Sequence, residues 1–208
     1  MLNQQYSIKF SNDIVMDIAG VLVVLLVIAL AWLLWDTYAN GEVEYVKSNI
    51  DGKEYLVRSL PDKKEAAALL SQIIANLQKL VKHLEETEAD DERTVRIVKN
   101  FNADAISEGS ENAKYTSYSV NKGEKVVLCL RSRDKNNKLM DLNTMMFVSL
   151  HELAHISSKT IGHDEAFWNN FKWLLQHAVK TGIYQQQDFK QKPVEHCGIQ
   201  ITDSPLYH

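Results

Sequence analysis

The pentapeptide His151-Glu152-Leu153-Ala154-His155 is the strongest constraint in the sequence. Residues four apart on an α-helix lie one turn above each other on one face, so a helix here aims both imidazoles at a common point. The segment leading into it, Leu142 to Leu150, holds no proline or glycine. Its apolar positions Leu142, Met145, Met146, Val148 and Leu150, continued by Leu153 and Ala154, are too dense for a helix with one face in water. The pattern predicts a buried helix capped by Asp141 or Asn143 and ending at Ser157-Ser158, before Gly162. Burying two imidazoles and a carboxylate is unfavourable unless they are paired or coordinated. A metal ion meets that requirement.

The spacing is that of an H-E-x-x-H zinc site, in which the two histidines bind the metal and the glutamate takes a proton from water. A catalytic zinc has three protein ligands and one open position. His163 is the preferred third ligand to a single Zn2+, with Asp164 and Glu165 as oxygen alternatives. Gly162 eases a turn, and Asp164-Glu165-Ala166 reads as a helix start with acidic residues in its first turn. That helix continues through Phe167, Phe171, Leu174, Leu175, Ala178 and Val179 and stops at Gly182. His163 thus sits just before a second helix, returned to the first by a loop. Asp164 is the nominee for orienting the imidazoles. Tyr184, His177 and His196 are candidates for stabilising an oxyanion, none preferred over ordinary packing.

Ile18 to Trp35 is apolar throughout, and with Ile14, Val15 and Met16 it reaches spanning length despite Asp17. Trp32, Trp35 and Tyr38 mark an interfacial belt. The expected organisation is a tail over 1–13, a single transmembrane helix over 14–38 and a domain over 42–208. A signal peptide is the rival reading, opposed by the non-basic residues before the run and by Thr37-Tyr38-Ala39, a poor cleavage site. Lys9 on one side and Lys47 and Lys53 on the other leave the orientation undecided by charge. Cys129 and Cys197 form no C-x-x-C pair, so no disulfide framework or zinc knuckle is expected. A reducing compartment, and hence the cytosolic side, is favoured for the domain. The net charge of -4 and the lack of a basic run offer nucleic acid no footprint.

Val43 to Arg58 reads as a hairpin around Asn49-Ile50-Asp51-Gly52. Pro61-Asp62 opens a long helix to about Glu86, with Ala66, Leu69, Leu70, Ile73, Leu77, Leu80, Val81 and Leu84 as its buried stripe. His83 beside that stripe reads as structural or exposed. Glu85 to Glu92 is an acidic run expected to be a solvated helix end and loop. The middle, Phe101 to Arg133, is strand-like, and within it a second hairpin joins Tyr115–Val120 to Lys125–Arg131 through Asn121-Lys122-Gly123-Glu124. Its first strand is polar enough for a sheet edge, where an extended peptide can add as a strand.

The stretch Tyr118 to Arg131, then His151-Glu152-Leu153-Ala154-His155, then Gly162-His163-Asp164 with Phe167-Trp168, resembles the WLM-type metalloproteases, relatives of the SprT-like peptidases. The likeness covers roughly Ala105 to Val179. The loop from His155 to His163 is longer than that family's usual spacing, and no methionine follows His163. The resemblance implies a zincin-like α+β fold, a small antiparallel or mixed sheet packed on the active-site helix. It also implies His151, His155 and His163 as zinc ligands and Glu152 as catalytic base. The family is best known for nuclear proteases acting on protein crosslinked to DNA. That substrate is not carried over to a chain with an apparent anchor and no basic patch. Membrane-anchored chains of this general kind occur among large DNA viruses, so a virion membrane is a candidate location.

The expectation is a membrane-anchored zinc endopeptidase acting on a protein or peptide, with a lipid membrane as its other partner. Two alternatives stay open. One is a zinc amidase or isopeptidase, which would use the same four residues. The other is a non-catalytic membrane-tethered interaction protein, against which Glu152 argues, since a structural site needs no base beside its ligands.

Overall fold

The computed structural model describes residues 19–35, 42–111, 116–134 and 136–208. Two compact units divide at Gly41 and Glu42. In the first, residues 19–35 form helix α1, with all of its side chains exposed, Leu22, Leu26, Trp32 and Trp35 among them. At 1.5 Å per residue it is about 25 Å long, less than the roughly 30 Å of a bilayer's hydrocarbon core. Among the described residues, no helix is long and apolar enough to cross a membrane. The expected transmembrane helix is therefore not found among them. The tail 1–13 and the ends of that span, 14–18 and 36–38, lie outside the described residues.

The second unit, Glu42–His208, has a mixed α+β fold, as expected. Strands β1 (Val43–Lys47) and β2 (Glu54–Arg58) pair antiparallel, Tyr45 opposite Leu56. Gly52, with φ +73, closes their turn. Helix α2 (Lys63–Thr87) follows and buries Ala66, Leu69, Leu70, Ile73, Leu77, Leu80 and Leu84 against β2 and the metal-motif helix. The acidic run after it is not all loop. Asp91 caps a further helix, α3 (Glu92–Asn100), by accepting the Arg93 backbone N–H at 2.8 Å.

Strands β3 (Ile106–Glu108), β4 (Tyr118–Val120) and β5 (Lys125–Leu128) form a mixed sheet in the order β3-β5-β4. β3 runs parallel to β5 and β4 antiparallel, leaving β4 at an edge. The hairpin strands are shorter than the sequence pattern, and Tyr115 lies outside the described residues. The short parallel strand β3 lies within the stretch Phe101 to Arg133 that reads as strand-like, but three residues are too few to show a period that would place it. Helices α4 (Leu142–Ser157) and α5 (Glu165–Lys180) carry the motif and the helix after it. Strands β6 (Val194–His196) and β7 (Ile199–Ile201) form a final antiparallel hairpin.

That last hairpin overturns the expectation of unpaired cysteines. Cys129, just past β5, and Cys197, in the β6–β7 turn, form a disulfide with Cα atoms 6.4 Å apart. Their 68-residue separation hides the pairing from the sequence, and only the return of the C-terminal hairpin to the sheet creates it. With the bond in place, cysteine usage no longer argues for a reducing compartment.

The sheet is pinned to α2 by Arg131, which is 2% exposed. Its Nε donates to Glu108 Oε1 at 2.7 Å and its Nη1 to both oxygens of Asp62 at 2.6 Å. Asp62 occupies the N-cap of α2 without a side-chain capping bond, so its carboxylate serves the arginine instead. The other Glu108 oxygen accepts the Arg58 backbone N–H at 2.7 Å.

Candidate metal centre

Helix α4 is buried nearly all round, with Met145, Met146, Leu150 and Ala154 at 0% exposure. Asp141 caps it, accepting the Thr144 backbone N–H at 3.0 Å. The rigid element so formed places His151 and His155 one turn apart, both half-buried. Past its end, the loop through Gly162 (φ +95) brings exposed His163 back across them. One donor atom from each of His151, His155 and His163 lies within 4.8 Å of the others. The Nε2 atoms of His163 and His151 are 3.0 Å apart.

Phe167, fully buried on α5, touches all three imidazoles, with ring centroids 4.9, 4.4 and 4.6 Å from those of His151, His155 and His163. Phe171 lies against His151 at 5.3 Å and Trp168 against His163 at 5.8 Å. This aromatic floor limits ring motion and desolvates the site. Burial, with His155 and His163 beside it, pushes His151 down to about 3, and burial likewise lowers His155 to about 4. Both are therefore neutral at pH 7, the form in which imidazole binds a metal.

Glu152 is 4% exposed. Burial raises its carboxyl to about 8, against the effect of the Ser119 backbone in β4. Its Oε2 has no hydrogen-bond partner among the described residues. A buried carboxylate oxygen without a partner needs an explanation, and a nearby cation with its water provides one. Zinc–nitrogen bonds of about 2.0–2.1 Å in a tetrahedron place ligand nitrogens roughly 3.3 Å apart, close to the His163–His151 separation. The residues present thus fit a single zinc ion in both chemistry and spacing.

The other sequence candidates lie elsewhere. Asp164 caps α5, accepting the Phe167 backbone N–H at 2.9 Å, in place of the imidazole contact proposed for it. Glu165 is the first residue of α5 and is exposed. Tyr184 is buried against Phe147, their ring centroids 6.1 Å apart. His177 Nδ1 pairs with His83 Nε2 at 3.3 Å between α5 and α2. His196 donates from Nε2 to the Cys129 carbonyl at 3.0 Å, behind the disulfide. None of these joins the three-histidine group, the only one of its kind among the described residues.

Sequence reasoning missed Phe167 as more than core, and it missed Lys122. The tip of the β4–β5 hairpin has φ +45 at Asn121, +59 at Lys122 and +113 at Gly123. Gly123 is obligatory, since a Cβ there would stand 2.5 Å from the Asn100 carbonyl oxygen. Left-handed backbone costs an L-residue about 1–2 kcal/mol, which asparagine bears better than most and lysine does not. A lysine at a turn position that usually takes glycine was the available signal.

Three imidazoles that converge beside a buried carboxylate, on an α+β framework, suit a metal ion with a proton acceptor next to it. Residues 50–204 match the WLM domain, so this chain belongs to the WLM family, whose function at family level is that of a zinc metalloprotease. The chain is 34% identical to an uncharacterised protein of Acanthamoeba polyphaga mimivirus, over 94% of this chain and 99% of that one. It is 35% identical to an uncharacterised protein of Invertebrate iridescent virus 6, over 34% of this chain and 39% of the other. Among solved structures, Wss1 from Saccharomyces cerevisiae aligns with a TM-score of 0.46 and 22% identity, over 61% of this chain and 86% of that one. Both of these relatives are proteins of viruses.

Proposed function

We propose that the chain is a zinc-dependent endopeptidase with a zincin-like domain, in which His151, His155 and His163 hold the metal and Glu152 is the general base. The observation that carries this reading is the convergence of the three imidazoles within 4.8 Å, on the helix that buries Glu152. Zinc, when bound, supplies Lewis acidity that polarises a carbonyl and lets water lose its proton near neutral pH. Glu152 takes that proton on its unpartnered oxygen and returns it to the leaving amine. Phe167 excludes water beneath the imidazoles and keeps their rings in place. The edge of β4, whose Ser119 backbone faces Glu152, offers an extended peptide a strand to pair with.

Metal analysis of the full-length protein is expected to find one zinc per chain. Chelation should abolish cleavage of a proteome-derived peptide library, and added zinc should restore it. Absence of zinc from the wild type would end the enzymatic reading. Cleavage restricted to isopeptide or non-peptide amides would keep the chemistry and change the substrate to that of an amidase.

The same reading includes a tether. Helix α1 exposes Val21 to Ile28, Leu30 and Trp32 to Trp35, an apolar surface that water disfavours and lipid accepts. With the flanking residues 14–18 and 36–38, the apolar stretch reaches the length of a single-pass anchor. The protein should stay in the membrane fraction after alkaline carbonate washing. Its release by carbonate would remove the anchor and leave the peptidase reading intact.

A further inference from the structure

The site depends on where the loop after α4 goes, and one side chain from the opposite hairpin holds that loop. Lys122 Nζ donates to the backbone carbonyls of His155 at 3.2 Å, Ser158 at 2.8 Å and Thr160. An ammonium has three protons, and here each has an acceptor. The acceptors are the last carbonyls of α4 and the first of the loop, which no helical N–H reaches and where the helix dipole favours a cation. One of them belongs to His155 itself, and another lies three residues before His163. Arg96, from α3, donates its Nε to the Ser157 carbonyl beside them. Asn170, from α5, donates to Ser158 Oγ at 2.9 Å. Arg96 and Asn170 hold the end of the helix, whereas Lys122 alone among these residues spans both the helix end and the loop.

The backbone of Lys122 is left-handed, where glycine would be less strained. A fold that needed only the turn would be better served by glycine, so the side chain offsets that strain by something it does. We propose that Lys122 is a positioning residue of the metal centre: its ammonium fixes the 155–160 backbone so that His163 meets His151 and His155. This rests on the reading of those histidines as zinc ligands. It adds a residue in a different element that sets zinc affinity without touching the metal.

The test measures zinc affinity by chelator competition and thermal stability of the zinc-free protein, on the full-length chain. Lys122→Met keeps the aliphatic stem and removes the donors. Lys122→Gly removes the side chain and also relieves the turn. Both should bind zinc about 10–100-fold more weakly, the range expected when a residue supporting the ligands is lost. The zinc-free Lys122→Gly protein should melt near the wild type, because relief of the turn compensates for the lost bonds. Lys122→Arg, which keeps the charge and several donors, should restore most of the affinity.

Zinc affinity within twofold of wild type in both Lys122→Met and Lys122→Gly would overturn the proposal, as would weak binding that Lys122→Arg fails to restore. Equal losses of zinc affinity and zinc-free stability in Lys122→Gly would reduce the residue to a structural staple. A wild type that binds no zinc would remove the metal centre and this inference together. A wild type that binds zinc while the variants bind it equally would remove only the inference.

Discussion

Replacing Glu152 by glutamine should lower peptide hydrolysis roughly 10³-fold while zinc content stays at the wild-type level. Glutamine has the same volume, so a side chain 4% exposed is replaced without a cavity. Its amide oxygen can still accept from the Ser119 backbone, but it cannot take a proton from water. Parallel measurement of steady-state cleavage and bound zinc separates the roles. Zinc lost together with activity would make Glu152 part of the metal's support, and unchanged activity would remove it from the chemistry.

The same variant carries a stability signature. In the zinc-free protein burial raises the Glu152 carboxyl from 4.5 to about 8, so the folded chain keeps a proton that the unfolded chain releases. The resulting contribution to stability is complete below pH 4.5 and lost as pH rises through about 8. The glutamine variant has no such loss, and its zinc-free form should melt above the zinc-free wild type at about pH 9. A bound divalent cation would favour the carboxylate, so zinc and an ionised Glu152 would stabilise each other.

Replacing Arg131 by methionine should destabilise the domain by about 3–5 kcal/mol, the usual consequence of stranding half of a buried ion pair. Glu108 is 3% exposed and would keep only the Arg58 backbone N–H. Asp62, more exposed, would turn to water. For a domain of this size the loss corresponds to a fall in melting temperature of roughly 6–20 °C. Adding Glu108→Gln should recover much of it, because the stranded charge is gone. Equal melting temperatures of wild type and Arg131→Met would show that the pair contributes no net stability. No recovery in the double variant would show that packing, not charge, sets the loss.

The helix bearing the motif was legible because its signals agree: an acidic cap, a dense apolar pattern and no breaker before Ser157. The α5 start and the β1–β2 turn were legible for the same reason, each with a local chemical cause. Other features were hidden because their causes are not local. Strand β3 is too short to show a period, and α3 lies behind an acidic run that looks solvated until Ile97 finds α4 and the core. The Cys129–Cys197 bond joins residues 68 apart, and the C-terminal hairpin must fold back before they meet. Asp164 was a sound nominee by position, yet its carboxylate is taken by the nearest backbone N–H, that of Phe167.

By itself the sequence determined the helix that carries His151, Glu152 and His155, since four-residue spacing on a helix is a matter of local geometry, and it put His163 forward beside Asp164 and Glu165 as the candidates to join them. It also determined an apolar stretch before the domain, by composition alone. Only the tertiary structure decided that His163 returns to the pair, that Phe167 lies under all three imidazoles and that Lys122 reaches three carbonyls from another hairpin. Those contacts depend on how far the chain travels between elements and which side chains meet there, and no residue pattern encodes either.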